Sequence, residues 1–180
     1  MYKGFSQKGY EVVQNRTDLL KANNKKPILG VFHEGGLPYA LDHKSSPELM
    51  SKVPTLAEMT AKAIENMKDH PNGFVMQVEG GKVDWAAHAN DTGGLIFDQI
   101  AFDDSVKVAI DFADQNGETL VIITTDHGNS NPGLLYGKEA NSNFDRIQKF
   151  TQTNEWILNN ISPNDNVNQV IEKNLLWQWP

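Results

Sequence analysis

The chain has 180 residues, of which 39% are hydrophobic and 22% are charged, a balance typical of a folded globular domain. Its formal net charge is −7, and an acidic surface repels nucleic acid and anionic membranes, so neither is an expected partner. The absence of cysteine excludes disulfide frameworks, thiolate zinc sites and cysteine nucleophiles. The N-terminal residues lack the apolar core of a signal peptide, and no apolar run is long enough to span a membrane.

The first third of the chain alternates strand-like and helix-like patterns. The sequence GYEVVQN (9–15) predicts a short strand, and ILGVF (28–32) predicts a second strand that ends in a glycine-rich loop. The sequence VPTLAEMTAKAIENMKDH (53–70) predicts a helix, because apolar residues recur at helical intervals along it. Thr55 and Glu58 have the spacing of a capping box, which places the helix start beside them.

Two longer apolar runs flank a second helical pattern. GFVMQVE (73–79) and TLVIITT (119–125) are almost continuously apolar, as expected for strands buried on both faces. Residues 93–115 between them have helical periodicity, and Gly117 predicts the helix end. Consecutive strand, helix and strand units predict an α/β fold with a mainly parallel sheet flanked by helices.

The composition changes after residue 132, where the chain becomes polar and rich in asparagine. We therefore expect a main α/β unit over residues 1–138 and a partial insertion or appended helical segment over 139–180. Within the latter, residues 144–161 predict one amphipathic helix. Its expected inward-facing residues are Phe144, Ile147, Phe150, Ile157 and Leu158.

Ligand-type side chains follow each of the two long apolar runs. Glu79, Asp84 and His88 follow the first run, and Asp126 and His127 follow the second. The carboxyl ends of parallel strands meet at one edge of a sheet, where ligands bind. Imidazole and carboxylate groups are zinc ligands, and oxygen-rich sites favour magnesium. Singly, each residue also has a structural interpretation as a surface pair or a turn cap, but together they predict a metal site.

These segments resemble the alkaline phosphatase family. The sequence VEGGKVDWAAHAND (78–91) is similar to the family segment in which a strand-end Glu is followed by Asp-x-x-x-His. The sequence AFDDSVKVAIDFADQNGETLVIITTDHG (101–128) is similar to its helix, strand and Asp-His pair. Weaker agreement extends the resemblance over residues 9–133.

The resemblance implies a phosphate monoester hydrolase that acts through a phosphoserine intermediate at a site with two zinc ions and one magnesium ion. Glu79 would be a magnesium ligand. Asp84 and His88 would be ligands of the first zinc, and Asp126 and His127 would be ligands of the second. Trp85 occupies a position that would contact phosphate. Members of the family are commonly dimeric and exported, which adds a homodimer and a periplasmic or secreted location to these expectations.

Several parts of the family pattern are not in this sequence. The Asp-Ser-Ala nucleophile segment, the phosphate-binding Arg and one Asp ligand would precede it, and the last zinc-ligand His would follow it. We therefore expect a fragment of a longer enzyme, with weakly held or absent metals and no activity of its own. Alternatives are a non-catalytic metal-binding domain and another member of the superfamily, either a phosphodiesterase or a phosphomutase.

Overall fold

The computed structural model of the chain describes residues 2–23, 25–130, 133 and 136–175. Most elements in this part of the chain are helices, and the two strands are short. No helix in it is long and apolar enough to cross a membrane. In chain order, the elements are α1 (Tyr2–Gln7), β1 (Glu11–Val13), α2 (Arg16–Lys21), β2 (Ile28–Gly30), α3 (Ala40–Ser45), α4 (Pro47–Lys52), α5 (Leu56–Met67), α6 (Gly81–His88), α7 (Thr92–Asn116), α8 (Ala140–Ile147), α9 (Asn154–Asn160) and α10 (Val167–Leu175).

The two strands form a parallel pair, as the sequence predicted, although each is shorter than expected. β1 pairs with β2 in a register that places Val12 opposite Leu29, and α2 makes the connection between them. Parallel neighbours require such a crossover, because a tight hairpin reverses the chain direction. Buried Val13 and Leu19 bring strand and helix together in a small core, against which Met59 of α5 packs.

The capping box predicted at the start of α5 is present. The Thr55 hydroxyl accepts a hydrogen bond from the Glu58 backbone N–H at 3.1 Å, and the Glu58 carboxylate accepts one from the Thr55 N–H at 3.0 Å. Glu58 also accepts hydrogen bonds from the Arg16 guanidinium at 2.9 Å. This pair lowers the pKa of Glu58 and ties α2 to α5, two elements far apart in sequence.

α7 is the long central helix, and its predicted end is confirmed. Its first turn is capped by Asp91, whose carboxylate accepts a hydrogen bond from the Gly94 N–H at 2.8 Å. The helix ends at Gly117, which has φ of +71°, a left-handed conformation that glycine adopts without steric cost. Gly94 also lets α6 come close, because a Cβ atom there would lie 3.3 Å from the Cβ of Ala86.

The strands predicted over 73–79 and 119–125 are not formed in the described part of the chain. Both segments lack the ladder hydrogen bonds of a strand, because none of the described residues pairs with them. Nor are they buried on both faces as expected: Val75 is 98% exposed, Leu120 82% and Ile122 76%. The α/β fold is therefore recognisable, but its described sheet contains only β1 and β2.

The single helix predicted over 144–161 is also wrong, because this segment contains the end of α8 and the whole of α9. The chain leaves the helical conformation before Thr153, whose side chain caps α9 by accepting from the Trp156 N–H at 3.1 Å. Of the residues expected to face inward, Ile157 is buried, whereas Phe144 and Leu158 are exposed. Residues 176–180 of the predicted C-terminal segment lie outside the described residues.

The C-terminal segment is attached to the rest of the chain through buried aspartates. The Asp42 carboxylate accepts hydrogen bonds from the backbone N–H and the hydroxyl of Thr153, each at 2.7 Å. The carboxylate of Asp91, the cap of α7, accepts another from the Asn154 N–H. The start of α9 is therefore held by both α3 and the N-terminal end of α7.

Candidate functional site

α6 begins just after the apolar residues 73–79 and carries two of the predicted ligands. Asp84 and His88 lie one helical turn apart, and the His88 Nε2 atom is 3.3 Å from the Asp84 Oδ1 atom. The sharp entry into the helix depends on Gly80. A Cβ atom at that position would lie 2.9 Å from the ring of Phe102 on α7, so a larger residue would push the start of α6 away from α7.

The loop that follows residues 119–125 brings Asp126 and His127, the other two predicted ligands, close to Asp84. The His127 Nε2 atom is 3.8 Å from Asp84 Oδ1 and 3.4 Å from Asp126 Oδ2. The rings of His88 and His127 have centroids 6.4 Å apart. Asp84, His88, Asp126 and His127 thus lie near one another, and we refer to them as the four-residue cluster.

Hydrogen bonds between residues close in sequence define the conformation of the loop that carries Asp126 and His127. The His127 N–H donates to Asp126 Oδ1 at 3.0 Å, and the Thr125 hydroxyl donates to the His127 carbonyl at 2.6 Å. Both are local contacts within an exposed loop. They set the direction in which the Asp126 and His127 side chains leave the backbone.

Asn129 is a site residue that the sequence did not predict. Its Nδ2 atom donates to Asp84 Oδ1 at 2.7 Å and lies 3.4 Å from the Asp84 backbone carbonyl. This contact joins the loop after residues 119–125 directly to α6. An asparagine two residues after an Asp-His pair gives no sequence signal by itself, because its partner lies 45 positions away.

Glu79, the predicted magnesium ligand, lies two residues before the start of α6. Its side chain is exposed rather than buried at a strand end, and its carboxylate is turned toward Gly81, where a Cβ atom would lie 3.2 Å from Oε1. It borders a cavity of about 470 Å³ whose lining also includes Trp85 and Lys82. Glu79 therefore lies at the same cavity as Trp85, and its role as a magnesium ligand stays a prediction.

Trp85 lines this cavity, and the side chain of Lys82 lies over its ring. The Lys82 ammonium group lies 3.7 Å from the centroid of the Trp85 ring and 4.1 Å from that of Tyr39, distances at which cation–π attraction operates. Trp85 also lies against the glycine-rich loop, since a Cβ atom at Gly36 would be 2.7 Å from its ring. Burial lowers the pKa of Lys82.

Three carboxylates in this region are buried, those of Asp42, Asp91 and Asp98, and Asp98 lines the cavity. Asp98 is 8% exposed and accepts from the Ala40 N–H at 3.1 Å. Burial raises the pKa of Asp98 to about 7, against the opposing effects of that hydrogen bond and of the Lys82 charge. Burial also raises the pKa of Asp42.

The donor atoms of the four-residue cluster match zinc, which takes imidazole nitrogen and carboxylate oxygen. All four side chains are accessible, from 37% exposed for Asp84 to 83% for Asp126. Within residues 2–23, 25–130, 133 and 136–175, however, no three His, Asp or Glu side chains are gathered closely enough to hold an ion. The cluster therefore has donor atoms of the right kind, but their arrangement is too open for three of them to hold one ion together.

Comparison with known proteins points to one family. The sequence profile described as alkaline phosphatase matches residues 1–171. Alkaline phosphatase H of Pseudomonas aeruginosa is 39% identical over 142 residues, covering 68% of this chain and 30% of that protein. Alkaline phosphatase 4 of Bacillus subtilis is 36% identical over 171 residues, covering 95% of this chain and 36% of that protein.

A solved structure gives the same result. The crystal structure of Thermus thermophilus alkaline phosphatase superposes with a TM-score of 0.86 at 31% sequence identity, covering 95% of this chain and 37% of that one. Its fold therefore agrees with that of the present chain along nearly all of the shorter sequence. In each of these comparisons, the chain spans about a third of the length of the relative.

Proposed function

The chain belongs to the alkaline phosphatase family, and from that premise we propose that it supplies part of the metal centre of a phosphate monoester hydrolase. The observation that carries this proposal is the four-residue cluster. His88 and His127, from separate segments of the chain, both approach a single carboxylate oxygen, Asp84 Oδ1, at 3.3 and 3.8 Å, and Asp126 lies beside His127. A surface ion pair within α6 alone would not require the Asp126–His127 loop to lie beside it.

The proposal assigns each ligand a role. Asp84 and His88 bind one zinc ion, Asp126 and His127 bind a second, and Glu79 binds magnesium. When bound, these cations neutralise charge on the phosphoryl group and activate oxygen nucleophiles. The residues of this chain hold and orient donor atoms, and the hydrogen bond from Asn129 fixes the direction of the Asp84 carboxylate. A serine outside this chain would form the phosphoenzyme.

Zinc titration of the purified chain by calorimetry tests the ligand assignment. We expect Asp84→Ala and His127→Ala each to weaken zinc binding by at least about tenfold, because each removes a donor. Asn129→Ala should weaken it by about tenfold, since the Asp84 carboxylate would lose its orienting partner. Matched controls are Asp103→Ala and His70→Ala, which remove an exposed carboxylate and an exposed imidazole outside the cluster.

Two results would contradict the assignment. Zinc affinity that is unchanged in both Asp84→Ala and His127→Ala would show that the ion binds elsewhere. Affinity that falls equally in the control variants would show unspecific binding to an acidic surface. Circular dichroism of each variant establishes that the chain is still folded, so a change in affinity can be assigned to the site.

We also propose that the chain by itself does not turn over phosphate monoesters. The nucleophile, the phosphate-binding arginine and the third ligand of each zinc would all come from outside it. The purified chain should therefore release no product from an aryl phosphate above the background rate, with or without added zinc and magnesium. Turnover that a chelator abolishes and that Asp84→Ala lacks would refute this proposal. A periplasmic or secreted location and a dimeric state are proposed by family resemblance alone.

A further inference from the structure

The cavity that Glu79 and Trp85 border lies between the glycine-rich loop, the start of α5, α6 and α7; we name it the interhelix cavity. Its volume is about 470 Å³, within the range of roughly 300–1,000 Å³ that is typical of small-molecule sites. Its wall is mainly apolar, with side chains from three separate segments of the chain: Leu37, Val53, Leu56, Phe97 and Ile100. A cavity with this size and lining is suited to a ligand with an apolar ring.

The wall of the interhelix cavity is formed by closely packed segments. A Cβ atom at Gly36 would lie 2.7 Å from the Trp85 ring, so the absence of a side chain there lets the glycine-rich loop contact that ring. Another part of the wall is held by His43, whose Nε2 atom lies 2.9 Å from the Val53 carbonyl oxygen. These contacts hold the shape of the cavity before a ligand binds.

Lys82 places a cation in this wall. Its side chain is half-buried, and its ammonium group lies over the rings of Trp85 and Tyr39. In the described part of the chain, it forms no salt bridge. Three carboxylates act on it only from longer range, those of Glu155, Asp98 and Asp42. A cation that is partly removed from water and has no counter-ion in contact is a favourable partner for an anion.

Lys44 adds a second ammonium group to the same wall. Its Nζ atom lies 3.4 Å from the centroid of the Phe97 ring, within the range of cation–π attraction. Lys44 likewise forms no salt bridge with any residue that the structure describes. Both lysines therefore present their charge beside apolar rings.

Three carboxylates also border the interhelix cavity, those of Glu79, Asp98 and Asp104. Glu79 and Asp104 are exposed, so water and salt screen their charge. Asp98 is buried, and both of its carboxylate oxygens accept from the Ala40 N–H, at 3.2 and 3.1 Å. Of the charged groups in the wall, the half-buried Lys82 is thus the one best placed to pair with a ligand.

We propose that the interhelix cavity binds a small aromatic carboxylate, with its ring against the apolar lining and its carboxylate group beside the Lys82 ammonium. A cationic ligand would be repelled by Lys82 and Lys44. A ligand with two negative charges would meet the Glu79 and Asp104 carboxylates as well, so a single charge fits best. Binding at this cavity requires no metal.

NMR titration of the isotope-labelled full chain with trans-cinnamate, in the presence of EDTA, tests this proposal. The indole N–H signal of Trp85, identified by its loss in Trp85→Phe, reports on the cavity wall. We expect a saturable shift of this signal with a Kd on the order of 0.1–1 mM, as for other ligands of this size. Cinnamamide, which has the same ring and no charge, and cinnamylamine, which is a cation, should each bind at least about fivefold more weakly.

Matched variants separate the charge from the apolar lining. Lys82→Gln should weaken cinnamate binding by at least about fivefold and leave cinnamamide binding unchanged, because it removes only the charge. The control Lys107→Gln removes an exposed lysine on α7 outside the cavity and should bind cinnamate as the parent does. Ala101→Phe should abolish binding of both compounds, because it adds a ring to the cavity wall.

A further control addresses general adhesion to apolar surface. Leu120 is 82% exposed and does not line the cavity, so Leu120→Ser should bind cinnamate with parental affinity. Circular dichroism of every variant establishes that the chain is still folded. If Ala101→Phe fails to fold, Lys82→Gln alone decides the outcome.

The proposal is overturned if the Trp85 signal does not shift up to the solubility limit of cinnamate. It is also overturned if cinnamamide or cinnamylamine binds as tightly as cinnamate, or if Lys82→Gln keeps the parental affinity. Equal weakening in Lys107→Gln would show a response to overall charge, which contradicts it too. EDTA removes metal from this titration, whereas the zinc titration tests the four-residue cluster, so each proposal can fail without the other.

Discussion

Asp84 is the residue at which the two halves of the candidate site meet. Its pairing with His88 follows from sequence, since residues four apart face the same side of a helix. Asp126 and His127 are neighbours in the sequence, so their pairing is also evident from the sequence alone. That both pairs would lie together followed from the rule that parallel strands end at one edge. Asn129 could not be found in this way, because a side-chain amide in a loop carries no periodic signal.

Asp98 should make stability depend on pH. Its pKa is raised to about 7 in the folded chain and lies near 4 when unfolded. Between pH 4 and pH 7, folding is therefore accompanied by uptake of a proton at Asp98. The contribution of the protonated Asp98 side chain to stability is complete below about pH 4 and is lost as the pH rises through about 7. Asp98→Asn cannot ionise. We expect it to exceed the parent in free energy of unfolding by about 1–3 kcal/mol at pH 8.

Urea unfolding at intervals from pH 4.5 to pH 8 measures this difference. The comparison isolates Asp98, because Lys82, Asp42 and Asp91, the charged groups facing it, are present in both proteins. The control is Asp103→Asn, which removes an exposed carboxylate from the same helix. Its free energy of unfolding should vary with pH as that of the parent does. A constant difference between Asp98→Asn and the parent across the range would show that Asp98 ionises normally.

At the scale of elements, helices were predicted better than strands for a physical reason. A helix satisfies most of its backbone hydrogen bonds within one segment. The helix start at Thr55 and the helix end at Gly117 can therefore be predicted from the local sequence. A strand needs a partner, and the partners of 74–79 and 119–125 are not among the described residues. The prediction of one helix over 144–161 was wrong because Thr153 forms hydrogen bonds with Asp42, which is distant in sequence. No local sequence pattern predicts that contact.

The attachment of α9 should depend on the Thr153 hydroxyl. This group donates to buried Asp42 and accepts from the Trp156 N–H. Thr153→Val keeps the shape but removes both bonds, and we expect a loss of about 2–3 kcal/mol in the free energy of unfolding. Thermal and urea unfolding measure the loss, and hydrogen exchange should show α9 amides opening first.

Thr153→Ser is the matched variant, because it keeps the hydroxyl and removes only a methyl group. We expect it to lose no more than about 1 kcal/mol. If the valine and serine variants were destabilised equally, packing rather than hydrogen bonding would hold α9 to the core. The role assigned to the Asp42–Thr153 contact would then be incorrect.

At the scale of the whole molecule, the chain belongs to the alkaline phosphatase family and spans about a third of the length of the relatives it matches. Its helical layer is formed, and its parallel pairing is present in β1 and β2. Partly buried and exposed side chains alternate along residues 74–79, whereas residues 122–125 are all exposed. The sequence predicted the α/β class correctly because hydrophobic period reports secondary structure, whereas completion of a sheet depends on segments elsewhere. The division at residue 138 stays a prediction.

The central claim is that Asp84, His88, Asp126 and His127 bind metal together. Crystals of this chain soaked in zinc and measured at the zinc absorption edge test it most directly, because anomalous scattering locates the ion. The account predicts anomalous density within coordination distance, about 2.0–2.2 Å, of nitrogen or oxygen atoms of this cluster. Zinc bound only at other residues such as His43 or His70, or no density at saturating zinc, would contradict it.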